Sequence, residues 1–448
     1  MNHKTMQHIL IQTYGCQMNV YDTEVMWRLL KPLGYQPTSS EKKADIILLN
    51  TCAIREKAEQ KVFSYLGRLA LMKQNNPQLI IGVCGCIAQN QGKALIQRAP
   101  CVDFIVGTHA IFQLPLILNN VRNGNRKKIY VDFQDHLDEI DLQISPIIKS
   151  DISGFVTIMR GCNNYCAYCV VPYVRGKEMS RASDDIINEI KHKVAKGMRE
   201  VTLLGQNVNS YGKREGMLSF SELLSKVNEI EGLYRIRFTT SHPKDLGDDL
   251  IDAFAHLEKL CKHIHLPVQS GSDHILKRMN RKYTRKDYLT KIEKLKKKCP
   301  NISITSDFIV GFPGESHDDF CDSISLIKEI EYDSLFAFQY SDRDIAPASN
   351  YFPKVEDKIK RERLIELLDM QSNNTIKQNT RCVGQYQSVL VEGKSKRESD
   401  QWTGRTSGNK IVNFIAPETI QSLNAMLVDV YIEEACAHSL RGYLCQKK

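Results

Sequence analysis

Three cysteines, Cys162, Cys166 and Cys169, stand in a CxxxCxxC spacing within FVTIMRGCNNYCAYCVVPYVRGKEMSR, residues 155–181. Thiolates this close in sequence are suited to one shared centre. Iron–sulfur clusters are held by cysteine thiolates, and a four-iron cube bound by three of them keeps one iron open to a further ligand. Zinc competes. A closed structural zinc site takes four ligands, commonly as two CxxC-type pairs, and no fourth Cys or His lies in this loop. Three unliganded core cysteines are the third reading, disfavoured by the polar insert Asn163, Asn164 and Tyr165. The apolar run 155–159, followed by Gly161, predicts a strand that delivers the loop at its carboxyl end.

A second set of cysteines is dispersed. Residues 7–122 alternate short apolar runs with helical patterns: strands over 9–12, 45–49, 79–83 and 102–106, helices over 22–33, 53–73, 89–98 and 109–119. That order predicts a parallel, doubly wound sheet, whose functional crevice lies beyond the carboxyl ends of its strands. Cys16 in YGCQMN, Cys52 in LLNTCAIRE and Cys86 in VCGCIAQ each follow a different strand. One cysteine after a strand is usually core filler. Three at equivalent positions fit a shared metal site equally well, and spacing alone leaves both readings open. Asn19, Asn50, Thr51, Arg55 and Glu56 flank them without an evident role.

The cysteine loop opens a longer βα rhythm over residues 150–378. Further strands are expected at 200–204, 235–239, 263–266, 303–310 and 334–339, and helices at 182–195, 220–229, 285–298 and 317–330. Six units of this kind make a partial parallel barrel, with its site at the carboxyl ends of the strands. Polar residues gather there: Gln206, Asn207 and Asn209; Ser241 and His242; Gln269, Ser270, Gly271 and Ser272; and Asp307, Gly311 and Gly314. Capping of the next turn is the plain alternative for the amides. The run MNRKYTR with Arg278 offers Arg281, Lys282 and Arg285 either as a solvated helix start or as phosphate contacts.

Residues 123–149 read as a linker, basic at 126–128 and then acidic. After a long helix, 354–377, the segment 379–446 alternates short strands with glycine turns, as a small antiparallel barrel does. Its basic residues Arg381, Lys394, Lys396, Arg397, Arg405 and Lys410 interleave with Tyr386, Trp402 and Phe414. That mixture can grip phosphates and stack bases, or be a solvated surface over a core. The remaining cysteines, among them Cys321, fit no ligand spacing and read as structural.

The 448 residues suffice for two or three domains. With 42% hydrophobic and 25% charged residues, the composition is that of a soluble globular protein. A net charge of +9 suits a polyanionic partner such as RNA. Fourteen cysteines without a signal-type amino terminus argue against a secreted disulfide scaffold. The longest apolar stretch, 79–88, is too short to span a bilayer. A cytoplasmic, monomeric protein without membrane contact is expected.

CxxxCxxC with Tyr168 between its second and third cysteines resembles the radical S-adenosylmethionine (SAM) superfamily. The longer string GCNNYCAYCVVPYVRGKEMSR is similar to the methylthiotransferases, and within them to the MiaB-type tRNA enzymes, with Val174 where Thr is usual. LLGQNVNSYG resembles the same branch. GCQMN, NTCxxRE and GCxAQ are similar to the three cysteine motifs of the methylthiotransferase amino-terminal domain. This implies an auxiliary [4Fe-4S] cluster on Cys16, Cys52 and Cys86 and a radical SAM [4Fe-4S] cluster on Cys162, Cys166 and Cys169. Only Cys86 fits GCxAQ, which leaves Cys84 as a small buried residue. For SAM the family implies contacts among Gln206, Asn207, Gln269, Ser270, Gly271, Asp307 and Gly311. Where the family usually reads YSxRxxTxA, this chain has Ala346 in place of Thr, so any role of that threonine is missing. The last segment resembles the TRAM domain, an RNA-binding barrel.

The implied fold is α/β: a doubly wound amino-terminal domain, a partial (β/α)6 radical SAM barrel and a small carboxyl-terminal β-barrel. The implied reaction replaces C–H by C–S at adenine C2 of N6-isopentenyladenosine beside the anticodon. One SAM methylates sulfur and a second generates the radical. The implied partners are the tRNA anticodon loop, a reductase such as a flavodoxin or ferredoxin, and an unidentified sulfur source. The rival substrates are threonylcarbamoyl adenosine in tRNA and a ribosomal-protein aspartate. A rival of another class is a non-enzymatic, zinc-containing RNA-binding protein.

Overall fold

The computed structural model describes residues 7–53, 56–133, 151–213, 216–396, 398 and 400–445. The chain forms two compact units: Met1–Ile147 with Met159–Tyr165 and Cys169–Arg181, and Ile148–Ile158 with Cys166–Tyr168 and Ala182–Lys448.

The first unit is built on six parallel strands: β1 (His8–Tyr14), β2 (Gln36–Pro37), β3 (Ile46–Thr51), β4 (Ile80–Gly85), β5 (Phe104–Val106) and β6 (Lys128–Tyr130), in the order β2-β1-β3-β4-β5-β6. Every residue of β3 and β4 is buried, as both faces of a parallel sheet demand. Strand order reverses between β1 and β3, the flavodoxin-like switch point at which such sheets bind ligands. Two expectations change. The helix expected from residue 22 begins at Gln17, because Cys16 occupies its N-cap, an unusual residue for that position. The stretch read as a linker contains β6, which extends the sheet, so the linker reading fails for residues 128–130. The acidic residues 135–141 lie outside the described residues.

The second unit opens with β7 (Ser153–Thr157). The short pair β8 (Met159–Arg160) and β9 (Met179–Ser180) belongs to the first unit. The partial barrel continues with β10 (Glu200–Leu204), β11 (Arg235–Phe238), β12 (His263–His265), β13 (Ser303–Val310) and β14 (Ser334–Gln339). All pairings are parallel, in two arcs, β11-β10-β7 and β12-β13-β14, joined by the Ile236–Leu260 bridge. The strands expected at 200–204, 303–310 and 334–339 and the helices at 285–298 and 317–330 coincide with those observed. Ser219, Thr284 and Ser316 cap their helices by reciprocal bonds with Glu222, Asp287 and Asp319, the pattern that makes such starts readable.

The carboxyl-terminal barrel closes as β15-β16-β17-β19-β18, with β15 (Tyr386–Lys394), β16 (Trp402–Thr406), β17 (Ile411–Ile415), β18 (Leu427–Ala435) and β19 (Leu440–Leu444). Trp402 and Phe414 lie in its core beside Val389, Val412 and Ile432, which removes both from any base-stacking surface. The barrel is fastened at the amino-terminal ends of β11 to β13. There the buried Arg235 donates to the carbonyls of Ser388 and Arg405, and Arg237 to those of Thr406 and Ser407. The Lys262 amide donates to Ser407 Oγ at 2.8 Å. Several basic residues serve this attachment rather than a free face: Lys410 pairs with Asp333 and Arg381 with Glu331, while Arg405 pairs with Glu392 within the barrel.

Candidate functional site

In the first unit, register brings Tyr14, Thr51 and Gly85 side by side on the adjacent strands β1, β3 and β4. Cys16, Cys52 and Cys86 follow directly, so the topology sets three thiols along one sheet edge. Cys52 and Cys86 are buried and Cys16 is exposed. A hydrogen bond with Cys52 brings the Cys16 thiol down to about 6. It acts against desolvation, with help from the Arg175 charge and the amides at the helix start. Burial pushes the Cys86 thiol up, and Arg175 opposes it. Cys84 is fully buried, and its thiol is pushed up to about 12 by burial, with Asp22 adding to the shift.

Asparagines fix the edge. Asn19 Nδ2 donates to Asn50 Oδ1 at 3.2 Å and to the Thr51 carbonyl at 3.1 Å. Asn50 Nδ2 donates to the Asn19 carbonyl at 2.7 Å and to Thr23 Oγ1 at 2.9 Å. The Cys16 amide donates to Asn19 Oδ1. This lock gives Asn19 and Asn50 the role their sequence position left open: the cysteine-bearing ends of β1 and β3 are held in one relation. Thr51 Oγ1 ties β3 to the Cys84 carbonyl on β4. Arg55 lies outside the described residues.

The segment after Cys169 contributes Arg175 to the same unit. Its Nη2 lies 2.7 Å from Asp22 Oδ2, with both residues buried. Thr108 Oγ1 donates to the Val174 carbonyl at 2.7 Å, and His109 Nε2 bonds the Arg175 carbonyl at 3.0 Å. Cys162 is also in this unit, its amide bonded to the Gly176 carbonyl. Gly161 has φ +73°, and a Cβ there would lie 2.0 Å from the Lys177 carbonyl oxygen, so only glycine fits.

In the second unit Cys166 is buried at the barrel's carboxyl end. Ala167 is pinned by bonds from its amide to the Met279 carbonyl and from the Ala348 amide to its own carbonyl. Arg281 Nη1 lies 3.5 Å from Cys166 Sγ and 3.3 Å from Tyr168 Oη. His242 Nε2 lies 3.9 Å from the same sulfur. Burial, with the charges of Arg281 and nearby lysines, holds His242 far below its ordinary range and therefore neutral. Three cations of the basic run are thus engaged within the protein, Arg281 by burial, Arg278 by donating to the Pro313 and Phe352 carbonyls and Arg285 by pairing with Glu329, while Lys282 is exposed.

The other expected residues divide. Asn207 Oδ1, both amide atoms of Asn209 and Ser241 Oγ are buried and have no hydrogen-bond partner among the described residues. Orphaned polar atoms at strand ends are what a polar ligand would satisfy. Asn209 and Ser241, already expected at the barrel mouth but not among the SAM contacts implied by the family, therefore join the candidate set. Gln269 holds φ +75° and bridges Phe308; a non-glycine residue in that region is a mark of a site. Asp307 faces the barrel interior, 3.4 Å from His265 Nε2. Ser270 is fully buried, and the Gly271 amide donates to Ser323 Oγ at 2.8 Å. The Gly311 amide donates to Glu315 Oε2 at 2.6 Å. These last three pack against helices, and the two glycine amides already have partners.

Among the described residues, no group of three or more His, Cys, Asp or Glu converges to hold a single metal ion. A four-iron cube places its ligands around its corners, so its thiolates stand apart. None of the fourteen cysteines is disulfide-bonded.

Comparison with known proteins assigns each segment. Residues 8–107 match the family described as Uncharacterized protein family UPF0004, residues 156–327 the Radical SAM superfamily, and residues 380–444 the TRAM domain. The chain is 48% identical over 449 residues to the tRNA-2-methylthio-N(6)-dimethylallyladenosine synthase of Desulfosudis oleivorans, covering 98% of this chain and 96% of that protein. It is 49% identical over 443 residues to the protein of the same name in Syntrophus aciditrophicus, covering 98% and 95%. Among solved structures it is similar to the radical S-adenosylmethionine methyltransferase TsrM of Kitasatospora setae, with TM-score 0.54, 11% identity, and 77% and 74% coverage. It is also similar to the cobalamin-dependent radical enzyme OxsB, with TM-score 0.52, 12% identity, and 82% and 56% coverage. At those identities the likeness is one of fold.

Proposed function

Because the chain belongs to the tRNA-2-methylthio-N(6)-dimethylallyladenosine synthases, a radical SAM methylthiotransferase family, we propose a division of labour between its two cysteine sites. The reaction converts N6-isopentenyladenosine in tRNA to its 2-methylthio derivative. Cys16, Cys52 and Cys86 would hold an auxiliary [4Fe-4S] cluster, and Cys162, Cys166 and Cys169 the radical SAM cluster. When bound, the clusters and SAM would supply electron transfer, the radical and the methyl group. The observation that carries the two-site reading is the register of β1, β3 and β4, which aligns three cysteines at a topological switch point.

The chain's own residues position and enclose. The Asn19–Asn50 lock holds two of the first three thiols in place. Asn207, Asn209 and Ser241 offer unsatisfied polar atoms to SAM, with Gln206, Gln269 and Asp307 near the same strand ends. Half-exposed Phe336 and exposed Ile415 and Tyr443 show that apolar surface remains available on both barrels. The target nucleoside must be unstacked to be reached, which favours the anticodon loop over a duplex. No helix among the described residues is long and apolar enough to cross a membrane. The enzyme would meet its tRNA in the cytoplasm. A small electron carrier such as a flavodoxin or ferredoxin would deliver the electron.

The test is nucleoside mass spectrometry of tRNA from cells with and without the gene. Deletion is expected to remove 2-methylthio-N6-isopentenyladenosine and to accumulate the isopentenyl precursor. Loss of a different methylthiolated nucleoside would overturn the substrate. Iron and sulfide analysis of anaerobically purified protein checks the cofactors; zinc without sulfide would overturn both clusters.

A further inference from the structure

Arg281 is 3% exposed, and its guanidinium has no carboxylate partner among the described residues. Nε donates to Tyr283 Oη at 2.8 Å, Nη2 to the Pro267 carbonyl, and Nη1 to Tyr168 Oη and Cys166 Sγ. Other buried arginines of this unit are provided for by the polypeptide alone: Arg237 has Glu200, Arg363 has Glu315, and Arg235, which also lacks a carboxylate, donates to two backbone carbonyls and to no cysteine. A buried charge without a counter-charge is costly enough that it is rarely kept without a use. A four-iron cluster on cysteine thiolates is net negative, and one charge more negative when reduced. Placed on Cys166, it would supply the missing counter-charge.

A second donor aims at the same sulfur. The Lys244 amide donates to His242 Nδ1 at 3.2 Å. Nδ1 therefore acts as the acceptor, which leaves the ring N–H at Nε2, the atom 3.9 Å from Cys166 Sγ. Tyr283 packs edge-on to His242, with ring centroids 5.6 Å apart, and its hydroxyl, bonded to Arg281, donates to the Val268 carbonyl. The two donors are thus held by one buried assembly.

We propose that Arg281 and His242 are positioning residues that hydrogen-bond the Cys166 thiolate and set the reduction potential of the cluster in the CxxxCxxC loop. The inference rests on the cluster reading above. Hydrogen bonds to cluster sulfurs and nearby positive charge favour the reduced, more negative state and raise its potential. Removing them makes the cluster harder to reduce.

The experiment uses full-length protein carrying Cys16→Ala, Cys52→Ala and Cys86→Ala, reconstituted with iron and sulfide, so that one cluster gives the signal. Its midpoint is read by electron paramagnetic resonance during a redox titration. Arg281→Met is expected to lower the ratio of reduced to oxidised cluster about tenfold at a fixed solution potential, a shift of about 59 mV for one electron. His242→Phe is expected to shift it in the same direction by less, and Arg281→Lys, which keeps the charge, to restore part of the loss. Equal midpoints in Arg281→Met and the parent, with iron and sulfide unchanged, would overturn the proposal and leave the cluster reading intact. Absence of a four-iron signal from the parent would overturn both. A readout independent of variant folding is the hyperfine coupling of the reduced cluster to nitrogen in protein labelled with 15N-arginine. Coupling is expected, and its absence would overturn the role of Arg281.

Discussion

Arg175 and Arg281 are buried arginines beside proposed ligand cysteines, and they are provided for in opposite ways. Arg175 in the first unit has Asp22 at 2.7 Å, so the chain supplies its own counter-charge next to Cys16 and Cys86. Arg281 in the second unit has hydroxyls, a carbonyl and the Cys166 sulfur. The first arrangement is electrostatically complete in the polypeptide, and the asparagine lock adds a neutral scaffold to it. The second is complete only when something negative sits on Cys166. On the proposed reading, the auxiliary site is organised by the fold, whereas the CxxxCxxC loop is organised by the fold together with the cluster it would hold.

Cysteine substitutions should separate the two sites most strongly. Cys166→Ala is expected to abolish both SAM cleavage and methylthiolation. Cys86→Ala is expected to abolish methylthiolation while SAM cleavage to 5′-deoxyadenosine continues. Chromatography of 5′-deoxyadenosine alongside nucleoside mass spectrometry reads both. If Cys86→Ala stops SAM cleavage as completely as Cys166→Ala does, the sites are not independent and the contrast drawn here collapses.

The arginine contrast is sharpened by stability in cluster-free protein. Asp22→Asn strands the Arg175 charge and should cost about 3–5 kcal/mol, as loss of one partner of a buried pair does. Arg281→Met strands no carboxylate. It gives up hydrogen bonds and removes an uncompensated charge, so its cost should lie between nothing and about 2 kcal/mol. Denaturant unfolding of metal-free protein checks both, and loading the cluster should enlarge the Arg281→Met penalty more than that of Asp22→Asn. Equal costs in metal-free protein would mean that Arg281 has its counter-charge without a cofactor.

The same contrast explains what could be read from sequence. The cysteine motifs were legible because ligand chemistry fixes residue type and spacing, and the strands 200–204, 303–310 and 334–339 because short β-branched and aromatic-rich runs alternate with helical patterns. Arg281 was not. It lies in a basic run that resembles a solvated helix start, and its burial comes from tertiary contacts with Pro267 and Tyr168 far away in sequence. Trp402 and Phe414 misled for the converse reason: aromatics among lysines look like a nucleic-acid face, yet alternation along β16 and β17 turns them inward. Strand β6 was missed because three residues beside a turn carry little pattern, and β2 because two carry none. Asn19 and Asn50 could have been suspected together, since each sits beside a cysteine at a strand end, but their mutual bond needs the β1–β3 register.

A smaller effect should come from the scaffold of the first site. Asn50→Ala removes bonds to Asn19 and Thr23 and leaves the Asn19 amide short of one buried partner. A cost of about 1–3 kcal/mol is expected. Iron analysis should show a partial loss at the first site with the radical SAM signal retained. Equal loss of both clusters would mean that the asparagine lock supports the whole molecule rather than one site.

The smallest effect is expected at Cys84, two residues from a proposed ligand. Its side chain is fully buried and its thiol is pushed up to about 12 by burial, with Asp22 adding to the shift. Such a group stays a neutral thiol and behaves as a small apolar side chain. Cys84→Ala deletes one sulfur from a well-packed strand, for about 1 kcal/mol. Iron and sulfide content, SAM cleavage and methylthiolation should all stay at the parent level. Cys86→Ala, two residues on and just past the end of β4, removes a proposed ligand at nearly the same place in the chain. The pair therefore tests whether ligand identity in this unit follows from strand-end position. If Cys84→Ala loses iron, the ligand set extends into β4 and the assignment of Cys86 as the third thiolate must be redrawn.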